Sequence, residues 1–152
     1  LLKLLKKTKT PVIISTGMSN EKQIQKAVDI LSQKNLSILH CNSSYPAQNN
    51  QLNLKYIEKL KLMYKKSVIG YSGHEMNLTS SVAAVVLGAR IIERHITLDK
   101  SMWGTDQQAS IEPIGFARLI RDVRNVESSL GKPTKIIYPE EKIIMSKLRK
   151  HQ

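Results

Sequence analysis

Four short apolar runs rich in β-branched residues recur at helix-length intervals, and this alternation limits the fold more than any other feature. They are Pro11-Val12-Ile13-Ile14-Ser15, Leu36-Ser37-Ile38-Leu39-His40-Cys41, Ser67-Val68-Ile69-Gly70-Tyr71 and Ala89-Arg90-Ile91-Ile92-Glu93. Such runs are buried strands, and the gaps between them carry helix signals rather than hairpin turns. Asn20 with Gln23 forms a capping box, and Ile24, Ala27, Val28 and Leu31 make one apolar stripe behind it. A second helix is expected from Asn53 to Tyr64, with Ile57, Leu60 and Tyr64 on one face. Leu78 to Gly88 is long enough for a third, closed by its glycine. Pro113 suits the first turn of a fourth, which carries Phe116, Leu119, Ile120, Val123 and Val126 and ends at Gly131 and Pro133. The order β-α-β-α-β-α-β-α is an α/β chain of four βα units, and it brings successive strand ends to one side of a parallel sheet.

Two architectures fit this order: a four-stranded open sheet, or half of an eight-stranded βα barrel. Each strand leads into residues with chemistry to offer, namely Ser15, Ser43, Ser72 with His74, and Glu93 with His95. That is the pattern of a barrel's C-terminal rim, where sites are built from the βα loops. Half a barrel leaves open sheet edges and uncovered apolar surface, so a chain of this kind is expected to be a fragment. On that division residues 1–10 are the end of a truncated helix, 11–134 the half barrel, and 135–152 a linker or tail.

Charge narrows the partners. The 152 residues hold 24 Lys and Arg against 12 Asp and Glu, a net charge of +12. Nucleic-acid binding would call for basic residues clustered on one face with aromatics between them. The lysines and arginines are instead scattered along the chain, and aromatics make up only 5%. No nucleic-acid partner is expected. Cys41 stands alone, so no intrachain disulfide can form and a reducing compartment, the cytoplasm, is expected. No apolar run approaches the ~20 residues that span a bilayer, and the opening Leu1 to Lys7 lacks the long apolar core and cleavage site of a signal peptide. No membrane partner is expected either.

The residues at the rim suggest metal and anion chemistry. Two imidazoles delivered to one rim, His74 and His95, can hold a divalent ion with open positions, which would polarise a substrate carbonyl. Ser15, Ser43 and Ser72 lie near glycines and helix starts, where hydroxyls and backbone N–H groups can bind a phosphate, although serine is also an ordinary cap and turn residue. Tyr45 and Asp106, in polar loops, are candidate sugar or acid–base contacts. No nucleophile elbow, P-loop or glycine-rich dinucleotide loop is present.

The runs Ile14-Ser15-Thr16-Gly17-Met18, Leu39-His40-Cys41-Asn42-Ser43-Ser44-Tyr45-Pro46, Ile69-Gly70-Tyr71-Ser72-Gly73-His74-Glu75 and Ile92-Glu93-Arg94-His95-Ile96-Thr97-Leu98-Asp99-Lys100 resemble, in order and spacing, the sialic acid synthase family. Met102-Trp103-Gly104-Thr105-Asp106-Gln107 and Ala109-Ser110-Ile111-Glu112-Pro113 continue the resemblance, which extends from Pro11 to Pro139. It implies a TIM-type (β/α)8 barrel followed by a small antifreeze-like domain, working as a homodimer when full length. This chain would be the second half of that barrel, strands five to eight, with the start of the linker.

The implied reaction condenses phosphoenolpyruvate with N-acetylmannosamine, or a related amino sugar or its 6-phosphate. It is metal-assisted, releases phosphate and yields a nine-carbon 2-keto acid of the N-acetylneuraminate type. Manganese is the implied ion, with magnesium, cobalt and zinc as alternatives. Carried over by motif, His74 and His95 match the metal ligands, Ser15, Ser43 and Ser72 match positions that hold phosphoenolpyruvate, and Tyr45 and Asp106 match sugar contacts. Glu93 matches an acidic rim residue placed with the catalytic set. Ser43 stands where some members have Asn, and Gly73 where many have Asp. Gly73 followed by His74-Glu75 resembles the branch that includes the 9-phosphate synthases. The family's phosphate-binding lysine and catalytic glutamate lie on the first four strands, and an arginine comes from the trailing domain. None of them is in these 152 residues, so the chain alone is expected to make no product. The rival readings are a non-catalytic half barrel that needs its other half, or a basic anion-binding protein.

Overall fold

A computed structural model describes residues 1–149, so positions 150–152 of the expected tail lie outside the described residues. Four strands, β1 (Val12–Ser15), β2 (Leu36–Cys41), β3 (Val68–Gly73) and β4 (Ile92–Arg94), form one sheet in the order β1-β2-β3-β4. Every neighbouring pair is parallel, with Ser15 opposite Leu39, Cys41 opposite Ser72, and Ser72 opposite Glu93. This is the half barrel of βα units expected above.

Side chains alternate across a strand, so each strand divides between two faces. Val12, Ile14, Leu36, Ile38, Ile69, Tyr71 and Ile92 point to the helices and form the core with Ile24, Val28, Ile57, Leu60, Tyr64 and Ala84. Ile13, Ser15, Leu39, Cys41, Gly70, Ser72 and Glu93 occupy the other face by register. On that face Leu39 is fully buried because it leans over Gly70, where a Cβ would stand 2.3 Å from the leucine Cδ2 and 2.6 Å from the Ile91 carbonyl oxygen.

The helices follow their local signals. Helix α1 (Leu2–Thr8) precedes β1 and buries no residue. Helix α2 (Glu21–Leu31) has the expected capping box, in which the Gln23 N–H donates to Asn20 Oδ1 at 3.0 Å and the Asn20 N–H donates to Gln23 Oε1 at 2.9 Å. Helix α3 (Tyr56–Met63) starts later than expected, because Asn53 takes a left-handed φ of 47° that a helix cannot continue from. Helix α4 (Thr79–Val86) is closed by Gly88 at φ 102°, after which the Ala89 N–H donates to Ala84 O at 2.9 Å. That bond commits Ala89 to the helix end, and β4 is accordingly assigned from Ile92 rather than from Ala89. Helix α5 (Pro113–Leu130) begins at its proline and stops before Gly131.

The stretch read as a linker or tail contains a further helix, α6 (Pro139–Leu148), which buries no residue. Its start is local: Pro139 stands in the first turn, and the Glu141 carboxylate accepts from the Tyr138 N–H at 3.2 Å. Among the described residues no helix is long and apolar enough to cross a membrane.

Candidate active site

His74 follows β3 directly and His95 follows β4, so the parallel register delivers both to the C-terminal edge of the sheet. Their ring centres are 5.1 Å apart with the planes at 82°. Each backbone is pinned by a loop. The Ala47 N–H donates to His74 O at 3.0 Å, and the Ile111 N–H donates to His95 O at 2.8 Å. Tyr45, which precedes a cis peptide to Pro46, packs its ring against both imidazoles at 5.3 Å from His74 and 4.6 Å from His95.

The polar surroundings of the two rings differ. His74 Nδ1 lies 2.7 Å from the Asn42 carbonyl oxygen. A carbonyl can only accept, so Nδ1 carries the proton and, in the neutral ring, the lone pair is on Nε2. A carbonyl on the far nitrogen is the usual way a ligating imidazole is oriented. His95 Nδ1 lies 3.6 Å from Asp106 Oδ2, with both side chains substantially exposed. Tyr45 holds the Asp106 loop through its hydroxyl, which is 2.9 Å from Asp106 O and 3.1 Å from Ser110 Oγ. Tyr45, His74, His95 and Asp106 therefore form one cluster.

A second cluster lies on the inner face. Glu93 Oε1 accepts from Ser72 Oγ at 2.7 Å and from Ser15 Oγ at 3.1 Å. Ser43 stands apart from this trio but beside it: a Cβ placed on Gly17, two residues past Ser15, would be 1.9 Å from Ser43 Oγ. All three serines thus sit at the same end of the sheet. Two of them donate to a carboxylate, so an anion bound there has to draw those protons away from Glu93.

Three residues with structural weight at the site were not singled out from the sequence. Ser110, buried, braces Asp106 by donating to its carbonyl at 2.7 Å. Glu75 and Arg94 pair at 2.9 Å with side chains 0% and 2% exposed, on the helix side of the sheet. Glu75 also accepts from Tyr71 Oη at 2.7 Å, and burial followed by this carboxylate pushes the Tyr71 phenol far above its ordinary value. The available signal was one acid and one base, each adjacent to a candidate metal histidine.

A half-rolled parallel sheet with histidine, serine and acidic side chains gathered at its C-terminal rim is the site class of the (β/α) barrel enzymes. The chain belongs to the NeuB family, whose model matches residues 1–135. It is 44% identical over 142 residues to the human N-acetylneuraminate-9-phosphate synthase, an alignment covering 92% of this chain and 40% of that protein. It is 41% identical over 135 residues to the N,N'-diacetyllegionaminic acid synthase of Campylobacter jejuni, covering 86% of this chain and 40% of the relative. A solved N-acetylneuraminic acid (sialic acid) synthetase from Leptospira borgpetersenii, in complex with citrate, superposes with a TM-score of 0.83 at 33% identity. That superposition covers 99% of this chain and 54% of the other. The resemblance read from the motifs is borne out. The chain spans 40% of the length of these curated relatives.

Proposed function

We propose that this chain carries the rim of a sialic-acid-type synthase, which joins C3 of phosphoenolpyruvate to the aldehyde carbon of an N-acetylmannosamine-type sugar, free or as its 6-phosphate. Water adds at C2 of the enolpyruvyl unit, and the tetrahedral adduct expels phosphate to leave the 2-keto acid. The observation that carries this reading is the His74–Tyr45–His95 cluster standing beside the Ser15–Glu93–Ser72 cluster at one end of the sheet.

His74 and His95 are the residues that would hold a divalent ion. Two imidazoles bound at the ~2.1 Å typical of metal–nitrogen bonds have ring centres about 4.6 Å apart at a right angle and about 5.3 Å apart at the tetrahedral angle, a range that includes the 5.1 Å spacing found. Both are side chains that Mn²⁺, Co²⁺ or Zn²⁺ accept. When bound, the ion would polarise the aldehyde. Tyr45 and Asp106 orient the sugar beside it. Ser15, Ser43 and Ser72 position the phosphoenolpyruvate, and Glu93 is the group from which Ser15 and Ser72 must turn to do so. Holding both reactants at one rim lowers the entropic part of the barrel enzyme's barrier.

The reading is tested by product formation from phosphoenolpyruvate with Mn²⁺ and either N-acetylmannosamine or its 6-phosphate. The chain is assayed alone and as a hybrid in which residues 11–134 replace the matching stretch of the human relative. The hybrid is expected to release one phosphate per 2-keto acid formed, and the ratio of rates with the two sugars identifies the acceptor. A folded hybrid that makes neither product would refute the proposal.

A further inference from the structure

Glu75 is the residue after His74, and Arg94 is the residue before His95. Their side chains meet on the helix side of the sheet in a fully enclosed ion pair at 2.9 Å. Arg94 grips more than the carboxylate. Its Nη1 is also 2.9 Å from Asn77 O and 2.9 Å from Ser81 Oγ on α4, and its Nη2 donates to the main-chain carbonyl of Glu75 itself. The β4 strand end thereby holds the backbone just past His74, and the Ala47 N–H holds His74 O. The second carboxylate oxygen of Glu75 is fixed by Tyr71 Oη at 2.7 Å, and Ser81 Oγ reaches the first at 3.3 Å. Every polar group in this cluster is satisfied.

Stability does not explain such an arrangement. Burying two charges costs desolvation that their attraction barely offsets, and a packed apolar pair of similar volume often does as well or better. What an apolar pair cannot do is fix direction and register, which a forked guanidinium on a carboxylate and a carbonyl does. Gly73 shows how closely the pair is fitted. A Cβ there would stand 2.8 Å from Glu75 Oε2, 2.8 Å from Tyr71 Cε1 and 3.0 Å from Arg94 Cδ. The carboxylate can fold back beneath the strand only because residue 73 has no side chain.

We propose that Glu75 and Arg94 form one positioning clamp that sets the spacing of the His74 and His95 imidazoles for a shared divalent cation. They touch neither substrate nor ion and act through the two histidines. The cation part of this inference rests on the metal reading given above, whereas the spacing part does not, and two readouts separate them. The first is Mn²⁺ binding to the chain, followed by electron paramagnetic resonance. The second is the set of nuclear Overhauser contacts between the His74 and His95 ring protons in metal-free protein.

Arg94→Lys keeps the charge and loses the fork, and it is expected to weaken Mn²⁺ binding about 10–100-fold and to weaken the ring–ring contacts. Tyr71→Phe removes only the hydroxyl that fixes Glu75, and it guards against a lysine variant that fails to fold. A smaller change of the same sign in both readouts is expected from it. A purely structural pair would alter the melting temperature and leave ring spacing and affinity of the folded protein unchanged. Folded Tyr71→Phe or Arg94→Lys protein with wild-type ring contacts and wild-type affinity overturns the clamp. Ring contacts that weaken in the variants of a chain that binds no Mn²⁺ uphold the clamp and remove the metal reading instead.

Discussion

Ser15 and Glu93 stand on the two opposite edge strands of the sheet, yet their side chains are hydrogen-bonded at 3.1 Å. Strands in a flat sheet are about 4.8 Å apart, so edges three intervals away would be separated by about 14 Å, beyond the joint reach of a serine and a glutamate. The bond is therefore a direct measure of how far the sheet is rolled. Ser72, between them on β3, donates to the same carboxylate oxygen at 2.7 Å and is buried. Ser72→Ala is expected to lower stability by about 1 kcal/mol, the usual net worth of such a bond, and Ser15→Ala by less because Ser15 is exposed. Urea midpoints of the two variants check the order.

The glycines on β3 make a steric prediction. At Gly70 an added methyl would meet the Ile91 carbonyl oxygen at 2.6 Å, which is backbone and cannot swing aside. At Gly73 it would meet the Glu75 carboxylate and the Tyr71 ring, both at 2.8 Å. Each alanine variant is expected to lose about 1–3 kcal/mol by overpacking, with Gly70→Ala the worse of the two. Thermal unfolding of both, in one buffer, is the check.

His40 predicts a pH effect with a definite sign. Its ring is buried against Tyr56 and Tyr71, and burial holds its pKa below the ordinary 6.5, partly offset by the bond from Nε2 to the Leu52 carbonyl at 2.6 Å. The unfolded chain therefore takes up a proton near pH 6.5 that the folded chain resists. Stability from this residue is complete above that value and is lost as the pH falls from it toward the lower folded pKa. Unfolding midpoints at neutral pH and near pH 5, compared between wild type and His40→Gln, should show a smaller fall in the variant.

The candidate ligands make a prediction independent of turnover. His74→Ala and His95→Ala should each weaken Mn²⁺ binding by about tenfold or more, at least the loss seen when an outer partner of a ligand is removed. Neither ring lies in the helix-side core, so both variants should keep the far-ultraviolet circular dichroism of the parent. Titration of Mn²⁺ by calorimetry decides it.

How far the sequence could be read depended on whether a feature was local. The Asn20–Gln23 box and the two glycines that close α4 and α5 are set by neighbours in the chain, and the structure has them where they were expected; all four strand runs form strands, with β4 starting at Ile92 instead of Ala89. The placement of His74 and His95 at one rim followed from parallel topology, which is itself a consequence of the alternating pattern. Helix α6 was missed because it buries nothing, so it leaves no one-sided stripe to detect, and only its Pro139 and Glu141 announce it. The Glu75–Arg94 pair was missed for a different reason. Its partners are distant in sequence and meet only once β3 and β4 are in register. The degree of rolling that joins Ser15 to Glu93 is likewise a property of the assembled sheet.

The loop that carries Asp106 also carries Trp103, the single tryptophan of the chain, which is 99% exposed. Its indole is already in water in the native state, so its emission has almost no distance left to shift toward the red when the sheet comes apart. Intrinsic fluorescence is consequently a poor witness to unfolding here and a good one to whatever covers this loop. A blue shift on adding sugar or a second polypeptide would report that contact alone, uncontaminated by the core.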